Sequence, residues 1–172
     1  MTPFARPPIG ICIHHSLTRD GKTVDTAAIR RFHTSPALNG VIISMEDYRK
    51  HKAAGVDGLK APWDDIGYHA LIERVDGVVK VLPGRSERMH GAHCPPLNAT
   101  HLGLCIVGNF DLAAPDDDLL QVAASWCRGQ MQRYNMQLRN ITYHCDHSSK
   151  TCPGSQFPKA GFLLDLAGER RP

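Results

Sequence analysis

No run of the 172 residues approaches the length of about 18 consecutive apolar positions that a membrane span needs, so no membrane insertion is expected. Charge of one sign is also scarce. Twenty Lys plus Arg stand against 17 Asp plus Glu, a formal net charge of +3. The basic residues are scattered and become dense only at Glu169-Arg170-Arg171, so no nucleic-acid partner is expected. The opening residues, MTPFARPPIGICIHHS, lack the long apolar region and small-residue cleavage site of a secretory signal. Synthesis in the cytoplasm without a signal peptide is the expectation. There is no internal repeat, low-complexity run or linker, and the length suits one domain over residues 1–172. The His-Glu-x-x-His pattern of one large class of metal hydrolases is missing as well.

What is present is an ordinary globular composition, 42% hydrophobic and 22% charged, with many metal-capable side chains. The cysteines are Cys12, Cys94, Cys105, Cys127, Cys145 and Cys152. An even count suggests disulfides, but that argument is weak in a chain of this length without a signal peptide. Cys12 and Cys105 lie inside apolar runs and read as small buried hydrophobes. There are ten histidines, and pairs of them fall at 14–15, at 90 with 93 and at 144 with 147.

Periodicity places these groups on elements. PPIGICIHHS reads as a strand in which Cys12 and His14 share one face while Ile13 and His15 share the other. A loop through Thr18 to Gly21 leads to a helix capped by Asp25, with Ala28, Ile29 and Phe32 as its apolar stripe. Residues 41–55, VIISMEDYRKHKAAG, fit either a short strand plus a helix or a single helix. A strand from Ile66 and another from Val78 should form a hairpin through Asp76-Gly77. LGLCIVGNF, from Leu102, is apolar enough for a central strand. Three aspartates then open a helix whose buried face is expected at Leu119, Val122, Ala123, Trp126 and Met131. NITYH gives a short last strand, and a helix begins near Pro158. The fold class is therefore α/β, one mixed central sheet flanked by helices.

Near the C-terminus, HCDHSSKTCPG places His144 eight residues before Cys152. Together with His14 they would make a His2Cys set, the three protein ligands and one open position of a catalytic zinc. Residue pattern alone leaves other readings open. His14 could be a buried histidine bonded to a carbonyl, Cys152 a buried thiol, and Cys145 with Cys152 a disulfide. Asp146 could orient a ligand histidine or cap its own turn.

Five segments in order carry a resemblance: ICIHHS (11–16), WDDIGYH (63–69), GAHCPPLNATHLGLCIVGNF (91–110), YHCD (143–146) and KTCPGSQF (150–157). Over about residues 9–160 the chain resembles the type 2 N-acetylmuramoyl-L-alanine amidases. That zinc family includes peptidoglycan-recognition proteins and the small phage amidases called lysozymes. The resemblance implies a peptidoglycan-recognition-protein-like fold and Zn2+ held by His14, His144 and Cys152. Tyr68 corresponds to the tyrosine beside the metal, and Lys150 to the basic residue that completes the phage-type site. Gly91, His93 and Asn98 match the loop that shapes the rim and supports the sheet. Many recognition proteins of the group lack the cysteine and the activity with it, so Cys152 favours an enzyme. The chain departs from the pattern in the stretch from His33 to Ala61, where members run almost directly into the IGYH strand. It departs again at Cys94-Pro95-Pro96, where members often carry a small residue and glycine.

The implied reaction is hydrolysis of the amide between N-acetylmuramic acid and L-alanine in peptidoglycan or a muropeptide. Zinc would polarise the carbonyl and acidify a water, Lys150 would stabilise the oxyanion and Tyr68 would hydrogen-bond the reacting groups. A monomeric phage endolysin, made in the host cytoplasm and reaching the wall after membrane permeabilisation, is the expected setting. A cytosolic recycling amidase for anhydro-muropeptides and a non-catalytic muropeptide binder are the alternatives. Peptide preference, diaminopimelate or lysine, is not legible in the residues.

Overall fold

The computed structural model describes residues 1–17 and 25–168; the expected loop at 18–21 and the basic tail at 169–171 lie outside them. Its frame is a five-stranded sheet. β1 (Gly10–His15) runs parallel to β7 (His101–Ile106) on one side and to β8 (Ile141–Tyr143) on the other. β5 (Ala70–Val75) is parallel to β7, and β6 (Val78–Pro83) pairs antiparallel at the edge, giving the order β6-β5-β7-β1-β8. The β5–β6 turn is the expected Asp76-Gly77, and both residues adopt positive φ, 52° and 79°, as a two-residue hairpin turn of this hand requires. The strand expected from Ile66 starts only at Ala70. Before it, Gly67 donates its N–H to His33 Nδ1 and its carbonyl accepts from Ala92, so that backbone is occupied outside the ladder.

Every residue of β1 is buried, as expected for a strand covered on both faces. Ile11 and Ile13 join Leu102, Leu104 and Ile106 in the main core, packed against α3 (Asp117–Arg133) and α4 (Lys159–Ala167). Burying each of these side chains contributes roughly 1.5–3 kcal/mol. α3 buries Leu119, Leu120, Ala123, Ala124, Cys127 and Gln130, a face rotated from the expected one. Val122, Trp126 and Met131 pack only at its margin. The rotation follows from packing on two sides, against the β5–β6 hairpin and against α4. α4 ends at Gly168, φ 78°, in the left-handed conformation that closes helices.

The opposite face of the sheet carries Cys12, His14, Gly103 and Cys105. It is covered in part by α1 (Thr26–Thr34), whose Ile29 packs near Cys105 and Tyr68. Asp25 caps α1, accepting the Ala28 N–H at 2.6 Å. The stretch after α1 resolves into the strand-plus-helix alternative. β2 (Ala37–Leu38), β3 (Val41–Ile42) and β4 (Leu59–Lys60) form a small antiparallel sheet, and α2 (Met45–Ala53) sits beside it with no buried residue. No helix among the described residues is long and apolar enough to cross a membrane.

Candidate metal centre

β1 is the element that aims His14. Its side chain leaves the sheet on the face away from Ile13 and is 1% exposed. β8 ends in a 3-10 turn that delivers His144, whose ring centroid lies 4.7 Å from that of His14. Cys152 arrives on the following loop, its Sγ 3.6 Å from His14 Nδ1. One nitrogen from each histidine and the sulfur all lie within 4.8 Å of one another. The loop is held by Asp111, whose carboxylate accepts from the Thr151 hydroxyl and the Ser155 N–H, both at 2.7 Å. Those bonds hold the Asp111 carboxyl below its ordinary pKa.

A hydrogen-bond chain behind His14 assigns its tautomer. His93 Nε2 donates to the His101 carbonyl (3.2 Å), which leaves His93 Nδ1 as an acceptor. His14 Nε2, 3.1 Å away, must then donate to it. The lone pair of His14 Nδ1 is therefore turned toward Cys152, the second-sphere arrangement that orients metal-ligating imidazoles. The His93 ring occupies a slot made by two glycines. A Cβ on Gly103 would come within 2.5 Å of its Cδ2, and one on Gly91 within 2.3 Å. Asn98 Oδ1 fixes the loop by accepting the His93 and Cys94 N–H groups at 2.8 and 2.9 Å.

The protonation states suit a cation. Burial, reinforced by His93 and His144, pushes His14 well below its ordinary pKa, and burial followed by the Lys150 charge lowers His144. Both imidazoles are neutral at neutral pH and present lone pairs. Burial pushes the Cys152 thiol up to about 12, so it becomes a thiolate when a cation replaces its proton. The spacing fits too. Bonds of about 2.0 Å to nitrogen and 2.3 Å to sulfur at tetrahedral angles separate the two donors by roughly 3.6 Å. The residues present therefore fit a divalent metal.

All five candidates from the sequence converge here. The half-buried Tyr68 ring lies 5.3 Å from the His14 ring, centroid to centroid. Tyr68, His144, Lys150, Thr151 and Cys152 line one cavity of about 370 Å3, with Lys150 exposed at its mouth. Burial, then Cys105 and Cys152, raises the Tyr68 phenol well above its ordinary pKa. The open alternatives also resolve. All six cysteines are free thiols. Asp146 caps its own turn, accepting the Tyr143 N–H at 2.8 Å and the Thr142 hydroxyl at 3.1 Å, and does not orient a ligand. His15 accepts the Phe110 N–H, and His69 bridges the Gly103 N–H and the Met89 carbonyl, so both are structural. Cys145 accepts from Lys159 Nζ at 2.9 Å. Sequence reasoning missed Asp111 and the ring role of His93. For His93 a signal existed: a glycine inside the apolar run LGLCIVG marks close approach of another group.

A family model described as N-acetylmuramoyl-L-alanine amidase matches residues 4–155. The chain belongs to the N-acetylmuramoyl-L-alanine amidase family. An endolysin of Enterobacteria phage K11 is 30% identical over 145 residues, covering 77% of this chain and 85% of the phage protein. A peptidoglycan-recognition protein of Drosophila melanogaster is 28% identical over 99 residues. That match covers 57% of this chain and 53% of the fly protein, so the chain spans about half the length of that relative. Among solved structures, N-acetylmuramoyl-L-alanine amidase LysC from Clostridium intestinale URNW superposes with a TM-score of 0.66 at 25% identity, over 94% of this chain and 86% of LysC. The mixed sheet flanked by helices is thus the architecture of this amidase family, as the motifs implied.

Proposed function

We propose that the protein is a zinc-dependent, bacteriolytic peptidoglycan amidase that hydrolyses the amide between N-acetylmuramic acid and L-alanine, and that it serves as a phage endolysin. The observation that carries this reading is Cys152 Sγ placed 3.6 Å from the lone pair of His14 Nδ1, beside His144. A pure binder has no need of a thiolate there. The likeness to a phage endolysin over most of both chains supports the setting.

Zinc, held by His14, His144 and Cys152, would supply Lewis acidity and an acidified water. The chain's own groups do the rest. Lys150 places a positive charge at the mouth of the cavity, where the carbonyl oxygen of the substrate gains negative charge. Tyr68 keeps its proton at neutral pH, so it acts as a hydrogen-bond donor to the reacting amide and not as a base. His93 holds His14 in one tautomer throughout. On this reading a peptide stem next to a sugar enters the cavity that His144 and Cys152 line.

The test is incubation with purified peptidoglycan and with defined muropeptides, with and without a chelator, followed by identification of products by mass. Release of free L-alanine amino termini, lost with chelator and in Cys152→Ala, is expected. New sugar reducing ends, or no cleavage of either substrate by metal-loaded protein, would overturn the reading. Cleavage of muropeptides but not of intact wall would replace the endolysin role with a recycling one.

A further inference from the structure

Leu17 breaks a rule that the rest of the described chain keeps. Its φ is 54°, in the left-handed region that a bulky side chain rarely adopts. Every other described residue with positive φ is Asn39, Asp76, Asn135 or a glycine. Those types enter that region readily, glycine for want of a Cβ and Asn or Asp through local hydrogen bonds. Leucine has neither relief. The end of β1 imposes the conformation. The Ser16 N–H donates to the Ile106 carbonyl at 3.3 Å, and the Ser16 hydroxyl accepts the Gly108 N–H at 2.9 Å. The next residue turns away from the sheet, and Leu17 is 57% exposed, so the core does not offset the strain. A strained backbone and an uncovered apolar side chain both work against folding, and asparagine would avoid both. What sets the position apart is its place: Leu17 lines the same cavity as Tyr68, His144, Lys150 and Cys152. It is the one wholly aliphatic side chain of that lining. Strain held at a ligand site against the interest of the fold marks a residue kept for what it touches.

We propose that Leu17 is a substrate-contact residue of the metal cavity, an apolar rim that covers a methyl group flanking the scissile amide. The inference rests on the amidase reading. That amide carries one methyl on each side, one on the lactyl group of N-acetylmuramic acid and one on L-alanine. His144, Lys150 and Thr151 give the cavity charge and hydrogen bonds, and none of them suits a methyl. Leu17 does, and binding removes its surface and that of the methyl from water together. The contact does not change as the carbonyl is attacked. It therefore tightens substrate and transition state equally, which sets KM and leaves kcat alone. A stabilising residue at this position would weaken substrate binding, and that opposition of fold and ligand is the signature of the role.

The experiment compares zinc-loaded wild type and Leu17→Asn on an N-acetylmuramoyl-L-alanyl peptide and two analogues. One analogue has glycine in place of L-alanine, the other a glycolyl group in place of lactyl. Wild type is expected to favour the parent over at least one analogue by about tenfold in kcat/KM, the low end of what one carbon is worth in an apolar pocket. Leu17→Asn is expected to raise KM for the parent about tenfold with little change in kcat, and to lose that preference. It is also expected to melt above wild type, because asparagine accepts the left-handed backbone. Leu17→Met, which restores the apolar contact, is expected to recover most of the loss in KM. The analogue on which the preference vanishes identifies the methyl that Leu17 covers. The same preference in wild type and Leu17→Asn overturns the contact. So does a variant that melts below wild type or fails to fold, since Leu17 then serves the fold. Wild type alone gives a further check: no preference over either analogue also overturns the contact. Absence of cleavage of all three substrates by wild type is a different failure, which removes the amidase reading and the contact with it.

Discussion

β1 buries all six of its residues and hands Cys12 and His14 to one face while Ile11 and Ile13 anchor the other. The inserted sheet differs at each of these points. Its strands are two residues long, Val41 and Ile42 are 62% and 40% exposed, and its helix buries nothing. What fastens it to α1 is polar: Lys60 Nζ donates to the carbonyls of Phe32, His33 and Ser35, each at 2.9 Å, and lies 5.2 Å from the rings of Phe32 and Trp63. The contrast teaches where precision resides. His14 hangs from a strand fixed on both sides by parallel neighbours, so it inherits the rigidity of the core. The insert supplies none of the clustered metal-capable donors.

Experiments that break the contrast should differ in size. Cys152→Ala is expected to abolish metal-dependent hydrolysis, by roughly 100-fold or more, since several kcal/mol of carbonyl polarisation go with the ion. Thermal melts of the variant should stay close to wild type under metal-free conditions, and a collapse there would show that the thiol is a core group first. Acid gives the next effect. Burial holds His69 at about 4, against an ordinary value of 6.5. A depressed histidine pKa stabilises the fold fully above pH 6.5 and loses that contribution as pH falls toward 4, on the order of 3 kcal/mol for this ring. His33, at about 4, adds in the same direction. Denaturant midpoints measured across that window check it; a flat profile would mean that water reaches the rings.

Smaller effects follow. His93→Ala should weaken metal affinity by about 10–100-fold, while leaving the three donors in place. Competition with a chromogenic chelator measures this, and an unchanged affinity would remove the hydrogen-bond chain from the site. Lys60→Met strips three carbonyls of their donor and should cost about 1–2 kcal/mol, read as earlier hydrogen exchange confined to the insert and α1. Spread of that exchange into β1 would contradict the independence of the two regions. Val41→Thr, on the exposed rim, should shift stability by less than about 0.5 kcal/mol.

Much of the central sheet was legible in the sequence because each signal is local. Asp76-Gly77 specifies a turn by its own backbone preference, and LGLCIVG is apolar because that strand has no exposed face. The five candidate residues came from motifs in a fixed order, and the structure puts four of them on one cavity with His14 buried against Tyr68, His144 and Cys152. The rest depends on partners far along the chain. His93 meets His14 across 79 positions, and Asp111 grips Thr151 across 40. Asp111 does not differ in type or neighbourhood from a surface polar group, and the glycine in LGLCIVG signals that some group approaches the strand without saying that it is His93. The start of β5 was misplaced for a related reason: the backbone at Gly67 is taken by His33 and Ala92, which only the folded chain brings near. The buried face of α3 was misplaced because it answers to two neighbours at once.

Gly103 faces Cys12 across β1 and β7, in the middle of a strand where a bulky side chain would add to the core. The strand leaves that place empty, and the imidazole of His93 fills it from another part of the chain. Size at position 103 and the ring at position 93 are therefore one variable. A methyl group at 103 evicts the ring, and loss of the ring leaves a hole that a larger residue at 103 could close. Such a paired exchange would keep the sheet intact while erasing the hydrogen bond that fixes the tautomer of His14.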